Sequence, residues 1–274
     1  MAMARGIPVR DTILWVQDTG EVDLPVIFCL HSLWLDGSMF DALVPAAAGR
    51  FRFVRPDFRG QGSSAPHTGD VVDMDCCADD MNALIDILGL RSVHLAAASM
   101  GGDVAVRMIA RRPDLFASLA MLGSSVRAEP PDQLAHFTAW LEGARRTGFV
   151  GENLDVLMSI MFGATTRAQA DAQPMLRPWR NKLELTPMSR WPALVGVLNR
   201  TSAVDLLPSI AVPTLVLSGA DDIARPPDWG REVADGVPDG RQIVLEGVGH
   251  TPILEAPDTV LPLALRFFAD TIAR

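Results

Sequence analysis

The 274-residue sequence predicts an α/β chain: a mostly parallel, twisted sheet flanked by helices on both faces, with a helical segment inserted into it. Three observations lead there. Short apolar runs alternate along the chain with longer helix-like stretches. From residue 25 onward those runs lack the polar–apolar alternation of a strand with one wet face, as strands covered on both sides should. Between residues 126 and 200 the alternation stops, leaving helical patterns and no convincing strand.

Taken in order, residues 13–16, 25–30, 51–55, 93–97, 116–122, 214–218 and 242–245 read as strands. Asp73 stands as N-cap to a helix that reaches about Leu88 and is closed by Gly89. Residues 100–111 form the next helix, stopped by Pro113, whose ring cannot continue it. The clearest helices of the inserted stretch cover 132–147 and 154–162. Residues 226–234 and 257–272 each carry a proline in the first turn, where a missing N–H costs nothing. The chain then divides into the first part of a sheet core (1–125), a helical cap (126–200) and the second part of the core (201–274). The inserted stretch holds three of the six tryptophans, Trp140, Trp179 and Trp191, and a small excess of basic residues. Its place after a strand, downstream of Ser99, favours a lid over a site rather than another layer of core helices.

Composition narrows the function classes. Hydrophobic residues make up 49% and charged residues 21%, ordinary for a globular chain. A net charge of −9 speaks against a nucleic-acid partner, which needs a positive field. No apolar run is long enough to cross a bilayer, so no membrane role is expected. The first ten residues lack the basic start and apolar stretch of a secretory signal, and cytoplasmic localisation is the expectation. Cys29, Cys76 and Cys77 form no metal-binding spacing and read as reduced structural thiols. A homo-oligomer stays open.

The informative stretch is Val93-His94-Leu95-Ala96-Ala97-Ala98-Ser99-Met100-Gly101-Gly102, a buried-type strand running into a small-x-Ser-x-Gly turn and then a helix. Small residues around the serine suit a tight turn that lifts its oxygen clear of the backbone. The turn also aims the first helical N–H groups at the place where negative charge develops. A serine before a helix is often only a cap, so the strand–turn–helix context decides for a nucleophile. A hydroxyl needs a base, and the base an orienting acid. The strand at 214–218 ends in Gly219-Ala220-Asp221-Asp222, and the next ends near Gly249-His250. Both lie at carboxyl ends of parallel strands, where sites form in open α/β sheets. Either aspartate could serve. His31, His67, His94 and His136 read as structural, and the loop at 55–64 lacks the glycine spacing and lysine of a phosphate cradle.

These motifs resemble the α/β-hydrolase superfamily from Ile13 to the last helix, most nearly its 3-oxoadipate enol-lactonase-like and carboxylesterase members. The resemblance rests on Leu30-His31-Ser32-Leu33, Asp57-Phe58-Arg59-Gly60-Gln61-Gly62-Ser63, Ala97 to Gly101, Gly219 to Asp222, and Gly249-His250. It implies Ser99 as nucleophile, His250 as base and Asp222 as acid, the latter standing third after the strand-end glycine. Backbone N–H groups of Leu33 and Met100 would hold the oxyanion, with Ser32 standing where the family usually has glycine. Trp34, Trp140 and Met161 are expected to contact an apolar substrate portion. The expected reaction is cleavage of a small-molecule carboxylic ester or lactone through an acyl-enzyme, with neither metal nor organic cofactor. The same three residues would serve a carbon–carbon bond hydrolase or a cofactor-free perhydrolase, and the fold alone a binding or receptor protein with little turnover.

Overall fold

A computed structural model describes residues 3–272. Eight strands make one sheet: β1 (Met3–Val9), β2 (Thr12–Asp18), β3 (Val26–Leu30), β4 (Arg52–Pro56), β5 (Val93–Ala98), β6 (Phe116–Leu122), β7 (Thr214–Gly219) and β8 (Gly240–Leu245). Their order is β1-β2-β4-β3-β5-β6-β7-β8. β1 pairs antiparallel with β2, and β2 antiparallel with β4, while every later neighbour pair is parallel. Every residue of β3, β5 and β7 is buried, which is why these runs show no alternation in the sequence.

Helices α1 (Leu43–Ala46), α2 (Met74–Ile87), α3 (Met100–Arg111), α4 (Pro131–Thr147), α5 (Glu152–Met161), α6 (Ala164–Ala168), α7 (Gln173–Glu184), α8 (Trp191–Leu198), α9 (Pro227–Gly236), α10 (Pro252–Glu255) and α11 (Pro257–Ile272) complete the chain. The Asp73 side chain caps α2 by accepting from the Cys76 N–H at 2.6 Å. Gly89 takes φ +65° just beyond its end, the left-handed stop expected of glycine. Between β6 and β7 the described residues form α4 to α8 and no strand.

Several elements differ from the expectation. β1 was not anticipated: its first four residues are exposed, and Gly6 and Pro8 dilute any strand pattern. The helix expected at 226–234 runs Pro227–Gly236. α6 went unread because it is only five residues long, and α7 and α8 because prolines break their patterns, with Pro178 inside α7 and Pro192 opening α8.

The sheet order places a site. From β3 the chain moves to β4 on one side and then to β5 on the other, so loops diverge at the carboxyl ends of β3 and β5. A crevice opens at such a point. Residues 31–35 leave β3 there and Ser99 leaves β5.

Candidate active site

Ser99 is held in a conformation that few side chains tolerate. It links β5 directly to α3 with φ 49° and ψ −115°, a region essentially reserved for glycine. Its N–H donates to the Leu122 carbonyl at 3.0 Å, and its own carbonyl accepts from Ser124 Oγ at 2.6 Å. A side chain at Gly101 would collide with the Leu30 carbonyl, so the small residue lets α3 start close against β3.

Ser99 Oγ lies 2.7 Å from His250 Nε2. The other ring nitrogen, Nδ1, lies 2.9 Å from Asp222 Oδ2 and 3.1 Å from Oδ1. An ionised carboxylate only accepts, so Nδ1 carries the proton and donates it to Asp222, leaving the Nε2 lone pair for the Ser99 hydroxyl. Asp222 Oδ1 also accepts from the N–H groups of Ala224 (2.9 Å) and Arg225 (2.8 Å), which fix its plane. All three residues are buried. Asp221 points elsewhere: it is half-buried and accepts from the Thr165 N–H at 3.1 Å, a bond that lowers its carboxyl.

The loops around this line are braced by buried groups. His31 Nδ1 donates to the Ser32 carbonyl at 2.8 Å and Nε2 accepts from the Phe58 N–H at 2.9 Å, so one neutral tautomer fits. Burial holds its imidazole below the usual value. Asp57 accepts from the N–H groups of Gly37 and Ser63, each at 2.8 Å, joining the loops after β3 and β4. Glu255 accepts from the N–H groups of Gly249 (3.0 Å) and Thr251 (2.9 Å), the residues on either side of His250. It also accepts from the Gly163 N–H at 2.8 Å, between α5 and α6, and from Thr166 Oγ1 at 2.7 Å, within α6. Sequence reasoning missed this residue. Its one signal is Thr251 four positions before Glu255, one residue longer than a capping box.

Ser99 and His250 open on a cavity of about 520 Å³, part of it open to solvent. Leu33, Trp34, Trp140 and Met161 line it, so the structure brings the residues singled out in the sequence to one wall. Trp34 and Trp140 meet edge to face at 6.3 Å between ring centroids. Met100 begins α3 directly after Ser99, where a helix has no preceding turn to take its N–H. Among the described residues the Leu33 N–H reaches no backbone carbonyl in the turns and loops.

Two further residues on the wall escaped the sequence reading. Arg225 Nη2 lies 2.7 Å from Glu129 Oε1, and Arg200 Nη1 approaches the same oxygen at 2.7 Å. Burial lowers the Arg225 guanidinium to about 10, so it stays charged near neutral pH. Burial would raise the Glu129 carboxyl, but Arg225 and Arg200 outweigh it and hold it below its usual value. Residues 71 positions apart in the chain leave no local pattern to find. Among the described residues no group of three or more His, Cys, Asp or Glu is placed to hold a metal ion, and Cys29, Cys76 and Cys77 are free thiols. No helix there is long and apolar enough to cross a membrane.

Comparison with known proteins agrees with the architecture. A family profile described as "alpha/beta hydrolase fold" matches residues 25–257. The bifunctional esterase/perhydrolase of Acinetobacter calcoaceticus is 29% identical over 257 residues, spanning 89% of this chain and 91% of that protein. A thermophilic esterase from Thermogutta terrifontis superposes with a TM-score of 0.85 at 28% identity, covering 98% of this chain and 99% of the other. The enol-lactonase of Burkholderia xenovorans LB400 gives the same TM-score of 0.85 at 24% identity over 98% and 100% of the two chains, a likeness of fold.

Proposed function

The chain belongs to the α/β-hydrolase family, and from that premise we propose that it is a serine hydrolase cleaving a carboxylic ester or lactone through an acyl-enzyme. One observation carries the reading: Ser99 Oγ, the His250 ring and the Asp222 carboxylate stand in a single hydrogen-bonded line, 2.7 and 2.9 Å, at the edge of a largely apolar cavity.

In this mechanism His250 Nε2 takes the Ser99 proton as Oγ attacks the carbonyl carbon. Asp222 holds the ring in the tautomer that can do so and stabilises the imidazolium that forms. The carbonyl oxygen becomes an oxyanion, received by the N–H groups of Leu33 and Met100. His250 then passes its proton to the leaving alkoxide, and water repeats the sequence on the acyl-enzyme to release the acid. The stretch 126–200 serves as a cap that closes the acyl or alcohol portion against Trp34, Trp140 and Met161. Perhydrolysis, with hydrogen peroxide in place of water, is a second reading, favoured by the relative named as an esterase/perhydrolase.

The test uses a fluorophosphonate, which labels only an activated serine. Wild-type protein should be labelled at Ser99 and should hydrolyse 4-nitrophenyl esters. Ser99→Ala should lose both, the turnover falling by roughly four to six powers of ten. Labelling of another residue, or ester turnover that survives in folded Ser99→Ala, overturns the assignment.

A further inference from the structure

Where α5 passes into α6, residues 161–166 lie against the turns that carry Asp222 and His250. Glu255, the last residue of α10, joins the two sides. Its Oε2 accepts from the Gly163 N–H at 2.8 Å and Thr166 Oγ1 at 2.7 Å, and also from the Gly249 N–H at 3.0 Å. Its Oε1 accepts from the Thr251 N–H at 2.9 Å. Thr251 Oγ1 donates to the Met161 carbonyl at 2.9 Å, and Asp221, beside Asp222, accepts from the Thr165 N–H at 3.1 Å. The two backbones meet with no side chain between them. A Cβ on Gly249 would stand 2.1 Å from the Gly163 nitrogen, and one on Gly163 2.8 Å from the Gly249 nitrogen.

His250 sits between the two residues whose N–H groups Glu255 holds, so the aim of its ring follows that carboxylate. Nε2 has to stay 2.7 Å from Ser99 Oγ while Nδ1 keeps its bond to Asp222. Gly163, Gly249 and Thr251 give Glu255 backbone N–H groups, which move only with the chain. Among the described residues Thr166 is the one side chain of the α4–α8 stretch that reaches Glu255, and it is 4% exposed. A carboxylate can only accept, so losing that hydroxyl re-centres Oε2 on the N–H groups that remain. The turn from Gly249 to Thr251 follows, and the imidazole with it.

We propose that Thr166 is a positioning residue for His250, acting through Glu255, so that the stretch between β6 and β7 aims the base as well as walling the cavity. This rests on the reading of His250 as the base in ester cleavage.

The test removes the hydroxyl and then restores it. Thr166→Val keeps the shape without the donor, and Thr166→Ser keeps the donor. Thr166→Val should lower kcat for a 4-nitrophenyl ester roughly tenfold, since a misplacement of about 1 Å can cost a hundredfold. KM should stay within about twofold of wild type, as for a group that acts on the chemical step alone. Thr166→Ser should recover most of the lost kcat. The far-downfield proton signal of His250 Nδ1, identified by its absence from His250→Gln, should move in Thr166→Val and return in Thr166→Ser. An unchanged kcat in folded Thr166→Val overturns the proposal, as does an equal loss in Thr166→Ser or a change confined to KM. Should Thr166→Val not fold, Gly163→Ala is judged on kcat and KM in its place, because its Cβ keeps every donor while pushing the two backbones apart. If wild type cleaves no ester, the hydrolase reading fails by itself and the Nδ1 signal decides. A signal displaced in the valine variant and restored in the serine variant upholds the positioning role, and one unmoved by either overturns it.

Discussion

A serine hydroxyl in water is a poor nucleophile, so what Ser99 can do depends on what holds His250, and that in turn on Asp222. Asp222 is fixed by two backbone N–H groups before it meets the imidazole, which leaves its carboxylate plane little freedom. Replacing it with asparagine keeps the size but offers an amide that can donate, and the imidazole can then settle in the wrong tautomer. Asp222→Asn should therefore lower kcat for a 4-nitrophenyl ester by about four powers of ten with the fold intact. Asp221→Asn should cost less than tenfold, since that side chain bonds only to Thr165 in the described residues and does not meet the imidazole. Reversed effects would assign the acid to Asp221. Ser99, His250 and the aspartate pair were legible in the sequence because each sits where an apolar run breaks into small and polar residues. Glu129 and Arg225 were not, because a buried ion pair between distant segments has no spacing to betray it.

Two elements place His250 and Ser99. The first is the turn from β8 into α10, where Glu255 gathers N–H groups from both sides of His250 and from the segment joining α5 to α6. Glu255→Ala strands several buried donors at once and should cost at least ~2 kcal/mol in urea unfolding. Glu255→Gln, which retains one accepting oxygen, should recover part of that loss. It should still lower kcat more than it raises KM, because His250 is displaced rather than the cavity wall. An unchanged kcat in folded Glu255→Gln would leave Glu255 a purely structural role. The second element is β5, where His94 lies in the sheet against Ser118 Oγ at 2.8 Å, with Phe51 and Phe268 beside its ring. Burial lowers its imidazole to about 4, below the roughly 6.5 of an unfolded chain. The folded state therefore resists protonation. The stability tied to neutral His94 is complete above about pH 6.5 and is lost as pH falls toward 4. Between pH 7 and 4.5, wild type should lose roughly 2 kcal/mol more unfolding free energy than His94→Gln. The strands from β3 onward were legible because burial on both faces gives continuous apolar runs. β1, at an exposed edge beside a hairpin, the five-residue α6 and the proline-bearing α7 and α8 carry no comparable period.

At the scale of the whole molecule, the stretch between β6 and β7 is tied to the sheet at separated points. Lys182 Nζ reaches Asp36 at 2.7 Å, the Val72 N–H donates to the Pro192 carbonyl at 2.9 Å, and Thr251 Oγ1 donates to the Met161 carbonyl at 2.9 Å. Gly196 in α8 admits the Val72 carbonyl so closely that any larger residue would push α8 away. The net charge of −9 belongs to the outer surface and says nothing of the cavity, where Arg225 and Glu129 offset one another. Cooperative stability is shared by the entire chain, and this gives the backbone of Ser99 a reach beyond chemistry. At φ 49° and ψ −115° a non-glycine residue is strained by about 1–3 kcal/mol, whatever its side chain does. Ser99→Gly and Ser99→Ala both remove the hydroxyl, but only glycine also relaxes the turn. Glycine's extra freedom when unfolded returns about 0.5–1 kcal/mol of that gain. Ser99→Gly should thus melt a few degrees above Ser99→Ala in calorimetry, and equal melting temperatures would mean the turn stores no strain. The native chain then stands below the ceiling of durability its own fold permits, and a lineage that gave up the reaction could drift toward a tougher protein by a single codon.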